Sequence, residues 1–456
     1  MKIALVNPPW AFEGSIYFGC REAHLPLELG YAKALLERAG HEVMLVDAQL
    51  GVAWAGHGNG ENDGRDELIA TRDFDDTFVH GALADFEPDM TAITTAPSYL
   101  FWRCAPPELR VPMKTLDAIR DVAGEVVVIG PHASTTPRAT LRKLRADAAI
   151  VGECEDILVT LAARPGKDAV LPSVVRFDEH GELAGNGQKN ATDMASLPAL
   201  RWPVELLRRH RHHHHRFDRQ PDAPGAEVEA SRGCPYHCTF CAKDNFRNAF
   251  RKRPLDVLFA EIDGLVDLGV RYVYFIDEIF VPDRKLLEGM RKRRARGLSF
   301  GVQMRIDNWT PEMLDLLGEA GCVSIEAGME SISERGRSLL AKRCKLSTNE
   351  LTDLLIHAKK RVPFVQANLL DATCDKKADV DAWRKKLQQH GVWANEPVPL
   401  FPYPGSPEYT IRFGDCEDDA WERAHAHYLS EFEAFSDIQE SRPKSLPELE
   451  RSVQHG

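Results

Sequence analysis

Residues 230–244 read "ASRGCPYHCTFCAKD" and place Cys234, Cys238 and Cys241 within eight positions. Three thiols do not close a structural zinc site, which takes four ligands, usually as two separated pairs. No second Cys or His pair lies at suitable spacing, and His237 is too close within the same loop to complete a tetrahedron. A 4Fe–4S cluster tolerates the gap differently. Three of its irons take thiolates and the fourth stays open to a small molecule. Cys234, Cys238 and Cys241 are therefore expected to be metal ligands, with a substrate in the place of the missing one.

Downstream of the cysteines, apolar runs alternate with helical patterns: "VRYVYFIDEIF", "SFGVQMRID", "CVSIEAGMES", "VPFVQANLLD" and "WANEPVPLFPYPGSPEY". With "AEVEAS" before the cysteines they make six strands, which predicts a partial (β/α)6 barrel of the TIM type over 226–411, with its chemistry at the strand C-termini. Upstream, "KIALVNPP", "HEVMLVDA", "DMTAITTAPSY", "GEVVVIGPHAS" and "ADAAIVGECEDIL" are buried strands running into small-residue loops. Strands alternating with helices such as "PLELGYAKALLERAG" predict an α/β, Rossmann-like doubly wound sheet over 1–165. Its ligand would sit at the carboxyl ends of the strands.

Between these lies an expected linker, 166–225, with a hairpin turning at His180–Gly181 and a His-rich run at 210–215 that reads as solvated loop. The Gly-rich stretch 56–67 reads as an excursion from the sheet edge. Residues 412–456 read as a short charged helical tail. The basic runs "FRKRP" (250–254) and "RKRRAR" (291–296) read as solvated helix faces.

The apolar and charged fractions are those of an ordinary soluble globular protein. At 456 residues there is room for two or three domains. The net charge of −12 argues against nucleic-acid binding. The ten cysteines show no disulfide framework outside the cluster, which fits a reducing compartment. No apolar run is long enough for a bilayer, and "MKIALVNPPW" lacks a charged leader, so a cytoplasmic protein with no membrane partner is expected.

The spacing Cys-x3-Cys-x2-Cys, with Phe240 before the last cysteine, resembles the radical S-adenosylmethionine (radical SAM) enzymes. The loops "NPP", "TAPSY", "IGPHAS" and "VGECEDIL" resemble the first domain of their cobalamin-dependent branch, with "GPH" where Gly-Gly-Pro-His is more usual. The resemblance spans residues 1 to about 410. It implies that S-adenosylmethionine chelates the open iron and that Phe240 lies against its adenine. Asp277 and Glu278 would stand near the methionyl amine, although their spacing equally suits helix caps. Arg305 in "QMRID" would reach the methionyl carboxylate. Glu330 and Ser331 in "EAGMES" would contact ribose or carboxylate, and Lys342 occupies a basic position of open role. "YPGSPEY" resembles a Pro-Gly-Thr-Pro element, with Ser406 for Thr. Asn7, Pro97, Ser98, His132 and Glu153 would line the corrin-facing rim. No Asp-x-His-x-x-Gly motif occurs, which implies cobalamin without a histidine beneath the cobalt.

The chemistry so implied is C-methylation of an unactivated carbon, through a 5′-deoxyadenosyl radical and methylcobalamin, fed by an external donor such as flavodoxin or ferredoxin. The alternative uses the same cofactors for a cyclisation, ring contraction or rearrangement without methyl transfer. The short tail favours a small natural-product or sugar-like substrate over protein or RNA.

Overall fold

A computed structural model describes residues 1–10, 24–57, 67–71, 75–97, 109–164, 171–185, 187–210, 223–243, 246, 247, 249–371 and 374–431. The run "KIALVN" forms β1 (Lys2–Asn7) and "EVMLVD" forms β2 (Glu42–Asp47), both buried from their second residue onward. Burial on both faces is what a parallel strand between helical layers requires. The helix Leu27–Arg38 makes the crossover, and the two strands pair in parallel from Lys2 opposite Glu42 to Asn7 opposite Asp47.

Seven more strands complete this sheet: β3 (Val52–His57), β4 (Glu67–Ala70), β5 (Met90–Thr94), β6 (Glu125–Ile129), β7 (Ala148–Ile150), β8 (Val174–Phe177) and β9 (Leu183–Ala184). Their order is β4-β3-β2-β1-β5-β6-β7-β8-β9. The middle five are parallel, and antiparallel strands extend both edges. Because the chain winds outward in both directions from β1, a crevice opens where β1 and β5 end.

β8 and β9 come from the stretch expected as linker. Val174 and Val175 are buried against β7, so this hairpin adds to the sheet edge while turning, as expected, at His180 and Gly181. Ser98, the loop 58–66, residues 211–215 of the His-rich run and residues 432–456 lie outside the described residues. His210 is described and is not solvated. It is 3% exposed and sits 2.8 Å from Glu227.

The second half contributes β10 (Gly225–Val228), the antiparallel pair β11 (Ser231–Arg232) and β12 (Arg251–Lys252), then β13 (Tyr272–Phe275), β14 (Ser299–Met304), β15 (Cys322–Glu330), β16 (Phe364–Leu369) and β17 (Trp393–Ala394). The six strands β10-β13-β14-β15-β16-β17 form one parallel sheet with helices between them, the expected partial barrel. β11 and β12 bracket the cysteine loop at its mouth. Among the described residues, no helix is long and apolar enough to cross a membrane.

The two sheets share one interior. Apolar residues beneath the first sheet (Ile3, Leu5, Leu45) and those behind the barrel strands (Val273, Val302, Ile325) belong to a single continuous core. Trp202 packs so closely on Gly30 that a Cβ there would lie 2.6 Å from its ring. The expected tail also docks. In the helix Ala420–Glu431, the Trp421 indole N–H donates to Thr136 Oγ at 3.1 Å, and its ring lies 4.2 Å from that of His132.

A buried ionic array joins the halves. Arg232 reaches Glu155 (2.7 Å), Glu229 (2.9 Å) and Glu153 (3.4 Å), and all four side chains are fully buried. Arg247 meets Glu229 (2.7 Å) and Glu28 (3.2 Å), and Arg251 meets Glu153 at 2.5 Å. "FRKRP" is therefore no solvated helix face. Arg251 and Arg253 find acidic partners inside, Arg253 with Glu261 at 2.8 Å. Removing one partner of a buried pair leaves its mate uncompensated, at about 3–5 kcal/mol. Arg232→Met should lower the stability of the apoprotein by that order, read as a drop in the urea midpoint. An unchanged midpoint would show that the array does not hold the halves together.

Candidate active site between the two sheets

The cysteine loop leaves β11 through Gly233, whose φ of +80° and contact with the Ala249 carbonyl leave no room for a Cβ. Cys234, Cys238 and Cys241 are partly buried, and Phe240 lies half-buried between the last two. Burial pushes all three thiols up, Cys241 to about 12. A coordinating metal reverses that preference by its own charge.

The thiols are near enough to raise one another's pKa. Yet among the described residues, no three His, Cys, Asp or Glu groups gather tightly enough for one ion. Three thiolates from one loop suit an iron–sulfur cluster with one iron left open.

The surrounding residues hold this loop. Asp277 accepts from the Ala230 amide (2.9 Å) and the Ser231 hydroxyl (2.5 Å), and Glu278 accepts from the Gly233 amide (2.9 Å). Neither caps a helix; both carboxyls fasten the strand that delivers the cysteines. Ser406 N-caps the helix Pro407–Phe413 by accepting from Tyr409, and the Glu408 amide donates to the Thr239 carbonyl, so the "PGSP" turn braces the loop.

Arg305 follows β14. Its guanidinium forks onto Asp307 (3.1 and 2.8 Å), donates to the Lys342 carbonyl (2.6 Å) and lies 3.7 Å over the Tyr236 ring. Its Nη1 is buried and has no partner. One donor is thus left for an anion, in a group otherwise locked in place. Asp307 and Tyr236 were not singled out from the sequence, although "RID" carries the Asp two residues after the Arg.

Glu330 ends β15 and pairs with the ammonium of Lys342. Glu330, Ala341 and Arg343 all have left-handed φ, at 58°, 50° and 52°. Non-glycine residues held there cost energy and cluster at functional sites. Ser331 faces elsewhere: it is fully buried and donates to Asp375 at 2.7 Å.

On the rim of the first sheet, Asn7 donates to Asp47 (3.1 Å) and accepts from the Trp10 indole (2.8 Å). Pro97 is buried beyond β5. His132 faces Trp421, and Glu153 is held by Arg232, Arg251 and the Thr192 amide. Asp47 Oδ2 and Thr94 Oγ, at the ends of β2 and β5, are buried without partners. Such unmet polar atoms beside the crevice suit a ligand edged with amides, as a corrinoid is.

Burial lifts the carboxyls of Asp47 to about 7 and of Asp277 to about 8. In the folded state each keeps a proton that the unfolded chain releases near pH 4. Between those values the native state binds more protons, so stability falls as pH rises and levels off above about 8. The melting temperature of the apoprotein should drop from pH 5 to pH 8. Asp47→Asn should flatten the lower part of that slope and Asp277→Asn the upper.

The Radical SAM superfamily matches residues 228–370. An uncharacterized methyltransferase of Pyrococcus horikoshii is 23% identical over 371 residues, spanning 79% of this chain and 72% of its own length. The cytidylyl-2-hydroxyethylphosphonate methyltransferase of Streptomyces wedmorensis is 25% identical over 377 residues, spanning 73% and 66%. The structure of the radical S-adenosylmethionine methyltransferase TsrM from Kitasatospora setae, with cobalamin and a [4Fe-4S] cluster bound, superposes with a TM-score of 0.67 at 18% identity. It covers 89% of this chain and 76% of TsrM. Residues 228–370 thus match the radical SAM domain, and the chain as a whole shares the two-sheet fold of TsrM.

Proposed function

We propose that this protein is a cobalamin-dependent radical SAM C-methyltransferase acting on an unactivated carbon of a small metabolite. The observation that carries the reading is the buried array that clamps the cysteine loop against the strand-end rim of the first sheet. A cluster on the loop and a corrinoid at the rim would face one substrate from opposite sides. When bound, the cluster with S-adenosylmethionine supplies hydrogen abstraction and the corrinoid supplies a methyl group.

The chain's residues position and exclude. Cys234, Cys238 and Cys241 hold the cluster. The spare Nη1 of Arg305 binds the methionyl carboxylate, the Glu330–Lys342 pair flanks it, and Phe240 lies against the adenine. Asn7 and Pro97, with Asp47 and Thr94, line the corrinoid crevice, and an outside flavodoxin or ferredoxin delivers electrons. Glu153 and His132 stabilise that rim from behind, through Arg251 and Trp421.

Replacing any one of the three cysteines with Ala should abolish reductive cleavage of S-adenosylmethionine by the anaerobically reconstituted enzyme. A charge-assisted hydrogen bond is worth roughly 1.5–3 kcal/mol. Arg305→Ala should therefore weaken cosubstrate binding about tenfold or more, read by equilibrium dialysis. Two equivalents of S-adenosylmethionine consumed per product indicate methyl transfer; one indicates a cyclisation or rearrangement.

Electron paramagnetic resonance of the cob(II)alamin-loaded protein should show no nitrogen superhyperfine splitting from an axial imidazole. Splitting that disappears in His132→Ala would overturn the placement of that ring.

A further inference from the structure

Thr239 lies between Cys238 and Cys241 and is held by backbone on both of its polar sides. Its amide donates to the Leu340 carbonyl at 3.1 Å, and its carbonyl accepts from the Glu408 amide at 2.8 Å. Leu340 ends the helix Glu334–Leu339, and Glu408 lies in the first turn of the helix Pro407–Phe413. Two surface elements are thereby fixed beside the cysteine loop.

These two elements carry the two most exposed large apolar side chains among the described residues, Ile411 at 77% and Leu339 at 57%. A single exposed Leu or Ile needs no explanation. Two on separate elements, both pinned to one loop residue, are a shared feature of the surface around that loop. The loop itself reaches solvent there: Pro235 and His237 are exposed, while the three cysteines are partly buried.

Charge on this surface is one-sided. Arg335 stands four residues before Leu339, on the same helix face. Arg343 and Lys345 follow, and all three cations are exposed with no ion-pair partner among the described residues. Glu334 is the one acid within 334–346. The other basic run is answered from nearby helices, Arg291 by Glu319, Arg293 by Asp263 and Arg296 by Asp267. Beyond Ile411, Arg412 pairs with Glu408, and Asp415 and Glu417 are exposed. An apolar centre with one basic edge, on a chain of net charge −12, fits a partner whose contact face is acidic.

We propose that Leu339 and Ile411, edged by Arg335, Arg343 and Lys345, form the docking surface for an acidic one-electron carrier protein of the flavodoxin type. The inference rests on the radical SAM reading of the cysteine loop and adds where its reductant lands. One electron crosses: the carrier's flavin hydroquinone is oxidised to the semiquinone, the cluster is reduced by one, and no atom is exchanged. Redox encounters of this kind are transient and need only a small interface, below about 1,200 Å². Thr239 ties that interface directly to the backbone between two cluster cysteines.

The test uses the reconstituted holoenzyme and flavodoxin photoreduced to its hydroquinone. Flavin absorbance in stopped flow follows electron transfer, and calorimetry with oxidised flavodoxin follows binding. Both should weaken with added salt. Ile411→Glu should raise the dissociation constant about tenfold. Arg335→Glu combined with Lys345→Glu should slow the bimolecular step about three- to tenfold and flatten its salt dependence. Reduction by dithionite, and the 5′-deoxyadenosine formation it drives, should be unchanged in every variant. Unchanged flavodoxin binding and kinetics in these variants overturns the inference. So does an equal loss with dithionite, which would assign the residues to the cluster site, or failure of flavodoxin to reduce an unmodified holoenzyme that dithionite reduces. Loss of self-association in Ile411→Glu with flavodoxin kinetics intact overturns it in favour of a contact between copies of the chain. An unmodified holoenzyme that forms no 5′-deoxyadenosine even with dithionite would instead remove the functional reading beneath it.

Discussion

Arg232 is a fully buried guanidinium divided among carboxylates from both halves of the chain, Glu153 and Glu155 after β7 and Glu229 after β10. A charge in that position is tolerable only while its partners stay in place. Against the burial that would raise it, Arg232 and Arg247 hold the Glu229 carboxyl down at about 2. Neither half can neutralise this array alone, so each completes the other. The cysteine loop begins at the next residue after Arg232, and its distance from the rim of the first sheet is set by the same ions. Apolar burial makes the shared core, but burial is non-directional. The array supplies register.

The strands were legible because their signals are local. Six apolar runs after residue 225 and five before residue 155 each became a strand, and the cysteine spacing pointed to its loop. The ionic partners were not legible, because they are distant in the chain: Arg232 and Glu153 are 79 residues apart, Arg251 and Glu153 98, and Arg247 and Glu28 219. A basic run such as "FRKRP" looks the same whether it meets water or buried acids. Asp277 and Glu153 could be picked out of the sequence as site candidates, one after a barrel strand and one on the rim of the first sheet. Their partners, which make one a fastener of the loop and the other a keystone of the array, lie on other elements.

Glu330, Ala341 and Arg343 show a different economy. Each is held in a left-handed conformation without being glycine, and all three surround the Glu330–Lys342 pair. The segment is tied down on several sides, by Arg305 on the Lys342 carbonyl and by the Thr239 amide on the Leu340 carbonyl. The rigid barrel keeps the strained turn in shape, and the turn in turn aims a carboxylate and an ammonium at the mouth. Backbone of this kind marks a place where geometry outranks local comfort.

Trp421 seals its hydrogen bond to Thr136 across 285 residues of chain. On the ribosome, the first sheet emerges long before its covering indole exists. The packing around His132 is therefore finished only after the entire barrel has been translated. Assembly of this protein is thus ordered in time by its topology, with the docking of the helix Ala420–Glu431 as a late event.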